Sequence, residues 1–217
     1  MQLLTGFFLA LIIAYLAYRA RSLDRSGAFA ALVVGTVIFG LGGLGWAILL
    51  LTFFITSSGL SRTFKERKRE ANEKYAKGGR RDAGQVFGNG GIATLFAALH
   101  FFFPEATWPW LGFAASLAGA GIIGLLAALY APTGFNWGIF LWVTTAGLLG
   151  ALFDSLLGAT VQAIYYCPAC QKETERNPVH SCGTETTQIR GWTWLGNDWV
   201  NFACGGFGVI VVTAYIL

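Results

Sequence analysis

Apolar positions along this chain come in long blocks of about 17 residues or more, the length a bilayer-spanning helix needs. Short polar breaks separate them. The pattern predicts spans near 2–18, 26–42, 44–60, 84–103, 111–130, 137–163 and 198–217. The start, "MQLLTGFFLALIIAYLAYRAR", has no basic leader and no small-residue cleavage site, so it reads as the first span. "FPEATWPW" and "APTGFNWG" read as interfacial turns, with Trp108 and Trp110 at headgroup level. The expected fold is an all-α, polytopic transmembrane helix bundle of about seven apolar segments over 1–217. A basic amphiphilic loop at 61–81 and a small Cys/His-bearing, hairpin-like extramembrane insertion at 164–197 complete it.

Composition agrees: 55% of the 217 residues are hydrophobic and only 12% charged. A soluble domain carries about 25% charged residues. The formal net charge is +4, but its distribution matters more, because nine of the 15 Lys and Arg lie between Arg62 and Arg81. Cytoplasmic loops of membrane proteins are enriched in these residues, so basicity here points to topology, and no nucleic-acid partner is expected. Loops 19–25 and 61–81 should both be cytoplasmic, in a protein of a bacterial plasma membrane. Three apolar segments then separate the basic loop from the cysteines. Either the cysteines lie outside, or one segment is re-entrant or broken. The segment 137–163, long and bearing Asp154, is the suspect.

Asp82, Gln85 and Asn89 share one helix face at i, i+3 and i+7, and Asp198, Asn201 and Gly205 repeat the pattern. Gly150, Asp154, Gly158 and Gln162 form a third stripe. A carboxylate at membrane depth costs about 2.5–3.5 kcal/mol on insertion scales, and such residues face a bundle interior or a watery cavity. Asp82 and Asp198 at span ends also fit plain N-caps, and the amides fit helix-to-helix hydrogen bonding. Taken together, acids and amides suit a hard cation such as Mg²⁺ with phosphate oxygens. Lys77, Arg80 and Arg81 stand one turn ahead to grip phosphate, with Asn197 beside Asp198. That is a phosphoryl-transfer set, with Asp82 and Asp154 on the metal and Gln85 and Asn201 near the phosphates. Gly112, Ser116, Ala120 and Gly124 read instead as a helix-packing stripe.

"CPACQKETERNPVHSCG" places Cys167, Cys170, His180 and Cys182 together, a set that suits tetrahedral, structural Zn²⁺. A disulfide is the alternative in an oxidising compartment. Cys204 reads as a small buried residue.

Three stretches, "KGGRRDAGQVFGNGG", "GALFDSLLGATVQAIYYCPAC" and "GNDWVNF", resemble the integral-membrane family of domain of unknown function 92, the transmembrane protein 19 and phytyl-phosphate kinase family. The resemblance spans nearly the whole chain. It implies a kinase that phosphorylates an isoprenoid (phytyl or polyprenyl) monophosphate to the diphosphate with CTP, ATP or another nucleoside triphosphate. It further implies that Asp82, Asn89, Asp154 and Asp198 line one site. The chain departs from that family after residue 110: the D-T-W-A-[ST]-E helix and its Gly-rich loop are absent. An ion-coupled transporter or lipid flippase, or a catalytically degenerate scaffold, are the alternative readings.

Overall fold

The computed structural model describes residues 2–63, 80–117 and 121–216, with the side chains of 60–63 and 215–216 left aside. In chain order these form α1 (Gln2–Arg19), α2 (Arg25–Val37), a π-helical turn (Ile38–Gly42), α3 (Leu44–Thr63), α4 (Ala83–Phe102), α5 (Trp108–Leu117), α6 (Gly121–Leu129) and α7 (Trp137–Thr160). Strands β1 (Ile164–Cys167), β2 (Lys172–Thr174) and β3 (Thr187–Arg190) follow, then α8 (Asn197–Ile216). Most of the basic loop, residues 64–79 with Lys77, lies outside the described residues.

Local capping chemistry sets the helix starts. Asp24, Asp82 and Asn136 accept from the backbone N–H groups of Gly27 (2.7 Å), Gln85 (2.9 Å) and Gly138 (2.7 Å). Each supplies an acceptor to a first turn that would otherwise leave its donors unpaired. Gly43, at φ +89°, breaks the chain between the π-helical turn and α3.

Among the described residues, three segments are both long and apolar enough to cross a membrane: Gln2–Arg19, Arg25–Gly42 and Trp137–Thr160. About seven apolar segments were expected; three reach that length and apolarity among the described residues, and 111–130 takes a different form. The stretch 111–130 is not one span. Its residues fall in α5 and α6, two short helices that run out and back. The Trp110 indole at the start of α5 donates to the Ala127 carbonyl near the end of α6 at 3.0 Å. Trp110 and Tyr130 both pack beside Gly45 at the start of α3. Every residue of α5 from Pro109 to Leu117 is buried. Such a segment serves as core, where Trp46 meets Trp110 and Phe113 at centroid distances of 5.4 and 4.6 Å. The segment that folds back is therefore the α5–α6 pair. The suspect segment is instead a continuous helix to Thr160, and the stripe Gly112 to Gly124 is divided between two helices.

Close approaches fix the helix directions. Gly27 of α2 lies against the Arg81 carbonyl, and Val34 lies beside Gly90, so α2 and α4 run parallel. Gly88 lies against Asp198, Gly91 against Phe202 and Gly205 against Ile92, so α4 and α8 are parallel too. α7 runs antiparallel to α8, with Phe153 stacked on Phe207 at 4.4 Å and Asp154 beside Cys204. The N-termini of α2, α4 and α8 and the C-termini of α1 and α7 thus gather at one end of the bundle. The cysteine segment sits at that same end. No third crossing is needed between the basic loop and the cysteines.

The insertion is not purely helical or irregular. It is a three-stranded antiparallel sheet in the order β2-β1-β3, with Cys167 opposite Lys172 and Tyr166 opposite both Glu173 and Thr187. The expected all-α class therefore holds for the bundle and fails here. The expected hairpin is β1–β2, to which β3 adds a strand.

Candidate functional site

The sheet gathers four side chains that could hold a metal. The β1–β2 turn carries Cys167 and Cys170 on a tight backbone, with Gln171 at φ +52°. The returning segment brings His180 and Cys182. Cys167 Sγ lies 3.5 Å from Cys182 Sγ, and His180 Nδ1 lies 3.5 Å from Cys170 Sγ and 3.2 Å from Cys182 Sγ. All four donor atoms fall within 4.8 Å of one another. Zinc bonds of about 2.3 Å to sulfur and 2.0 Å to nitrogen give tetrahedron edges of this size. The set fits Zn²⁺ with no open position, so the ion would be structural, with His180 ligating through Nδ1. All four cysteines are unpaired thiols in this structure.

Hydrogen bonds tune these thiols. The Thr184 hydroxyl, then His180, push Cys182 down to about 5. The bond with Cys182, then burial, push Cys170 up to about 11.

The sheet is riveted to the bundle. Arg190 of β3 donates to the Gly158 carbonyl at 3.1 Å and to the Ala159 carbonyl, both in the last turn of α7. These are carbonyls that a helix end leaves without partners. Gln162 belongs to this junction and not to an intramembrane stripe. It lies beyond α7 and donates to Glu175 Oε1 at 2.9 Å.

Two strides away in the same end lies the acid–amide set. Asp82 and Gln85 form a capping box: Asp82 accepts from the Gln85 N–H, and Gln85 Oε1 accepts from the Asp82 N–H at 3.3 Å. Asn89 Nδ2 donates to the Gln85 carbonyl at 2.8 Å. Asp198 stands in the first turn of α8, so it is not that helix's N-cap. It approaches α4 at Gly88, where a Cβ would lie 2.7 Å from the Asp198 carbonyl oxygen. Asn197 and Asn201 are half-buried on the same helix. The residues of α4 that meet α8 at their seam are Gly88, Gly91 and Ile92, while Gln85 and Asn89 line the cavity toward α1, α2 and α3.

Asp154 stands apart from that seam. It meets α8 from the α7 side, its carboxylate 3.7 Å from Cys204 Sγ, which is its polar partner among the described residues. Cys204, read from sequence as a mere space-filler, is thus the contact that ties Asp154 to α8.

Arg80 is exposed, whereas Arg81 folds inward. Its backbone bridges to the α1–α2 loop through Ser22 and Asp24. Its guanidinium donates to Ser57 Oγ at 3.0 Å and lies 5.5 Å from the Phe54 ring centroid. No carboxylate pairs with it among the described residues, and burial lowers its proton affinity. Arg81, Gln85 and Asn89 supply the polar lining of a cavity of about 80 Å³ between α1, α2, α3 and α4. The rest of its wall is apolar. Sequence reasoning missed this cavity, because its lining comes from four helices whose mutual placement no local pattern reveals.

Long apolar helices under a small sheet that carries a Cys₃His cluster define an integral membrane protein with a compact extramembrane cap. The chain belongs to the family described as integral membrane protein DUF92, which matches it over residues 8–108 and 107–209. Among its relatives is Protein PGR of Arabidopsis thaliana, 28% identical, covering 93% of this chain and 91% of that protein. That alignment runs over 269 positions, so it opens gaps opposite this chain. Another is an uncharacterized membrane protein of Methanocaldococcus jannaschii, 27% identical, covering 72% of this chain and 70% of that protein. No solved structure matches the chain.

Proposed function

We propose that this chain is an Mg²⁺-dependent membrane lipid kinase that converts an isoprenoid monophosphate, phytyl or polyprenyl, to the diphosphate with CTP, ATP or another nucleoside triphosphate. The observation that supports the reading is the parallel packing of α4 on α8 at Gly88, which turns the N-terminal ends of the helices bearing Asp82 and Asp198 the same way. In the reaction, a phosphate oxygen of the lipid monophosphate forms a bond to the γ-phosphorus, and the bond from that phosphorus to the β-bridging oxygen breaks. The nucleoside diphosphate leaves with the electron pair. The nucleophile is ionised near neutral pH and needs no general base. Positioning and charge neutralisation then do most of the work.

Asp82 and Asp154 would hold Mg²⁺, which supplies charge neutralisation at the phosphates, and Asp198 would complete the set. Arg80, Arg81 and Lys77 would hold phosphate oxygens, with Gln85, Asn89, Asn197 and Asn201 orienting them. In this reading loops 19–25 and 61–81, and with them the zinc sheet, face the cytoplasm, where nucleotide is available.

A second reading, ion-coupled transport or lipid flipping, draws on the re-entrant pair α5–α6, since broken helices at membrane depth suit transport. A catalytically degenerate scaffold draws on the missing acidic motif after residue 110.

The test is purified protein with phytyl or polyprenyl monophosphate, Mg²⁺ and CTP or ATP, beside an Asp154→Asn variant. Diphosphate formed by the parent and lost in the variant is the expected result. No product from folded protein with either nucleotide, and lipid movement without nucleotide, would replace the kinase with transport. Neither activity would leave the scaffold.

A further inference from the structure

We infer that the stacked indoles of Trp192 and Trp194 form a membrane-surface anchor, which enters the phospholipid headgroup layer around α7 and holds the cysteine-bearing sheet down on the bilayer. This surface is separate from the acid-bearing helix ends and does not depend on the reaction proposed above.

The turn between β3 and α8 is fastened to the end of α7. Gly191 takes φ +81°, and a Cβ there would collide with the Gln162 carbonyl, so glycine alone fits. The Trp192 N–H donates to the Val161 carbonyl at 2.9 Å, and the Ala163 N–H donates to the Leu195 carbonyl at 2.9 Å. Gln188 holds the same turn from β3. Its Nε2 donates to the Gly191 carbonyl at 2.7 Å, and its Oε1 accepts from the Thr193 hydroxyl at 3.1 Å. This pinned turn nevertheless carries two large apolar rings outward. They stack at 5.7 Å, yet Trp192 and Trp194 stay 54% and 63% exposed. A loose loop could fold such rings against the bundle; a turn tied at this many points cannot. Their free faces are left for something outside the chain.

Depth identifies what that is. α7 is one of the segments long and apolar enough to cross a membrane, and Leu148, Leu152 and Leu156 make an exposed stripe along it. Its 24 residues rise about 36 Å at about 1.5 Å each. The hydrocarbon core of a bilayer is about 30 Å thick, and the headgroup regions bring it to about 40–45 Å. Both ends of α7 therefore reach the headgroup layer. Trp137 opens the helix, exposed and edge-on to Phe135 at 5.1 Å. The Trp192–Trp194 pair lies just past the other end, one hydrogen bond from Val161. Trp199, exposed in the first turn of α8, adds a third indole there. An indole suits that level because its ring is apolar while its N–H seeks water or a headgroup oxygen. Strand addition by another protein fits this edge less well. β3 has only four residues, and the Arg190 and Gly191 carbonyls already accept from Gln188.

The experiment is tryptophan fluorescence of the full-length protein in phosphatidylcholine vesicles, comparing the parent with the double variant Trp192→Phe, Trp194→Phe. The difference spectrum isolates the pair from the other indoles. It should be blue-shifted from that of an indole in water. It should lose most of its intensity when the lipids carry bromine near the glycerol end of their chains, and far less when the bromine is at the chain ends. Thermal stability checks that the variant folds. A second readout needs no variant: phosphatidylcholine with a diazirine on its headgroup should label the parent within residues 191–195. A water-like, unquenched difference spectrum, or no label in that turn, overturns the inference. Quenching only by bromine at the chain ends would put the pair in the hydrocarbon and overturn it as well. Shielding of the pair that grows with the protein-to-lipid ratio would make a second copy of the chain the partner instead.

Discussion

Gly88 of α4 rests on the backbone of Asp198 in α8, and a Cβ there would stand 2.7 Å from the Asp198 carbonyl oxygen. Only hydrogen fits at that distance, so the seam between the two acid-bearing helices depends on one missing side chain. Gly88→Val should destabilise the protein by about 1–3 kcal/mol, the usual cost of overpacking. Gly206→Ala, on α8 with nothing near its hydrogen, should not destabilise. Thermal unfolding in detergent checks both. Equal stability of Gly88→Val and the parent would contradict the close seam.

Asp82 has an observed task, capping α4, and a proposed one, holding metal. The two respond differently to substitution. Asn caps a helix about as well as Asp, so Asp82→Asn should leave the melting temperature nearly unchanged. It should still lower diphosphate formation by at least about 10–100-fold, the range seen when support around a metal is lost. Asp82→Ala should also lose about 0.5–2 kcal/mol of stability. Full activity in Asp82→Asn would reduce this residue to a cap.

The zinc centre should show a proton linkage of definite sign. Without metal, Cys182 is a thiolate above about pH 5, whereas Cys170, raised to about 11, stays protonated. Metal uptake near neutral pH must expel the Cys170 proton, so affinity should rise about tenfold per pH unit for each proton released. Below about pH 5 the Cys182 proton joins it and the dependence steepens. Chelator competition followed by metal analysis at several pH values would read this. A flat profile between pH 6 and 9 would rule out a Cys170 ligand. Cys182→Ser should lower the zinc content below one ion per chain.

Arg190 joins the sheet to the last turn of α7 through two carbonyls. Arg190→Ala should cost about 1.5–3 kcal/mol, the value of hydrogen bonds to a charged group, discounted for its exposure. The loss should appear as faster hydrogen exchange in residues 158–162 and in β3. Zinc content should remain, because no ligand is touched. Unchanged exchange would mean that metal alone holds the sheet in place.

Because α5 and α6 return to the end they leave, residues 20–24 and the cysteine sheet share one end, while residue 134 lies at the other. In sealed vesicles, a membrane-impermeant thiol reagent should label Ser22→Cys and a cysteine at Thr187 from the same side. Gly134→Cys should react from the opposite side. Labelling of the sheet together with Gly134→Cys would show that the α5–α6 segment crosses fully.

Much of this was legible along the chain. Long apolar blocks predicted the helices, and Asp82 followed by Gln85 wrote the α4 cap in plain sequence. The spacing of Cys167, Cys170, His180 and Cys182 anticipated that the four would cluster, because a tight turn brings near neighbours together. What failed was non-local. "GFAASLAGAGIIG" is apolar throughout, and a span and a buried out-and-back pair need the same composition. Charge parity asked for a broken segment, yet length and Asp154 directed suspicion to 137–163. Asp154 could be placed on a stripe but not against Cys204, since partner choice depends on packing between helices far apart in sequence.

The α5–α6 pair has a consequence for how this architecture can vary. The family match divides at residues 107–108, just where the chain turns into that pair. An element that enters and leaves by one face is topologically neutral. It can be resized, or joined by a further crossing pair, without inverting anything downstream. This connection is a tolerant joint, at which lineages can lengthen or trim the bundle while Asp154, the zinc sheet and Asp198 keep their orientation.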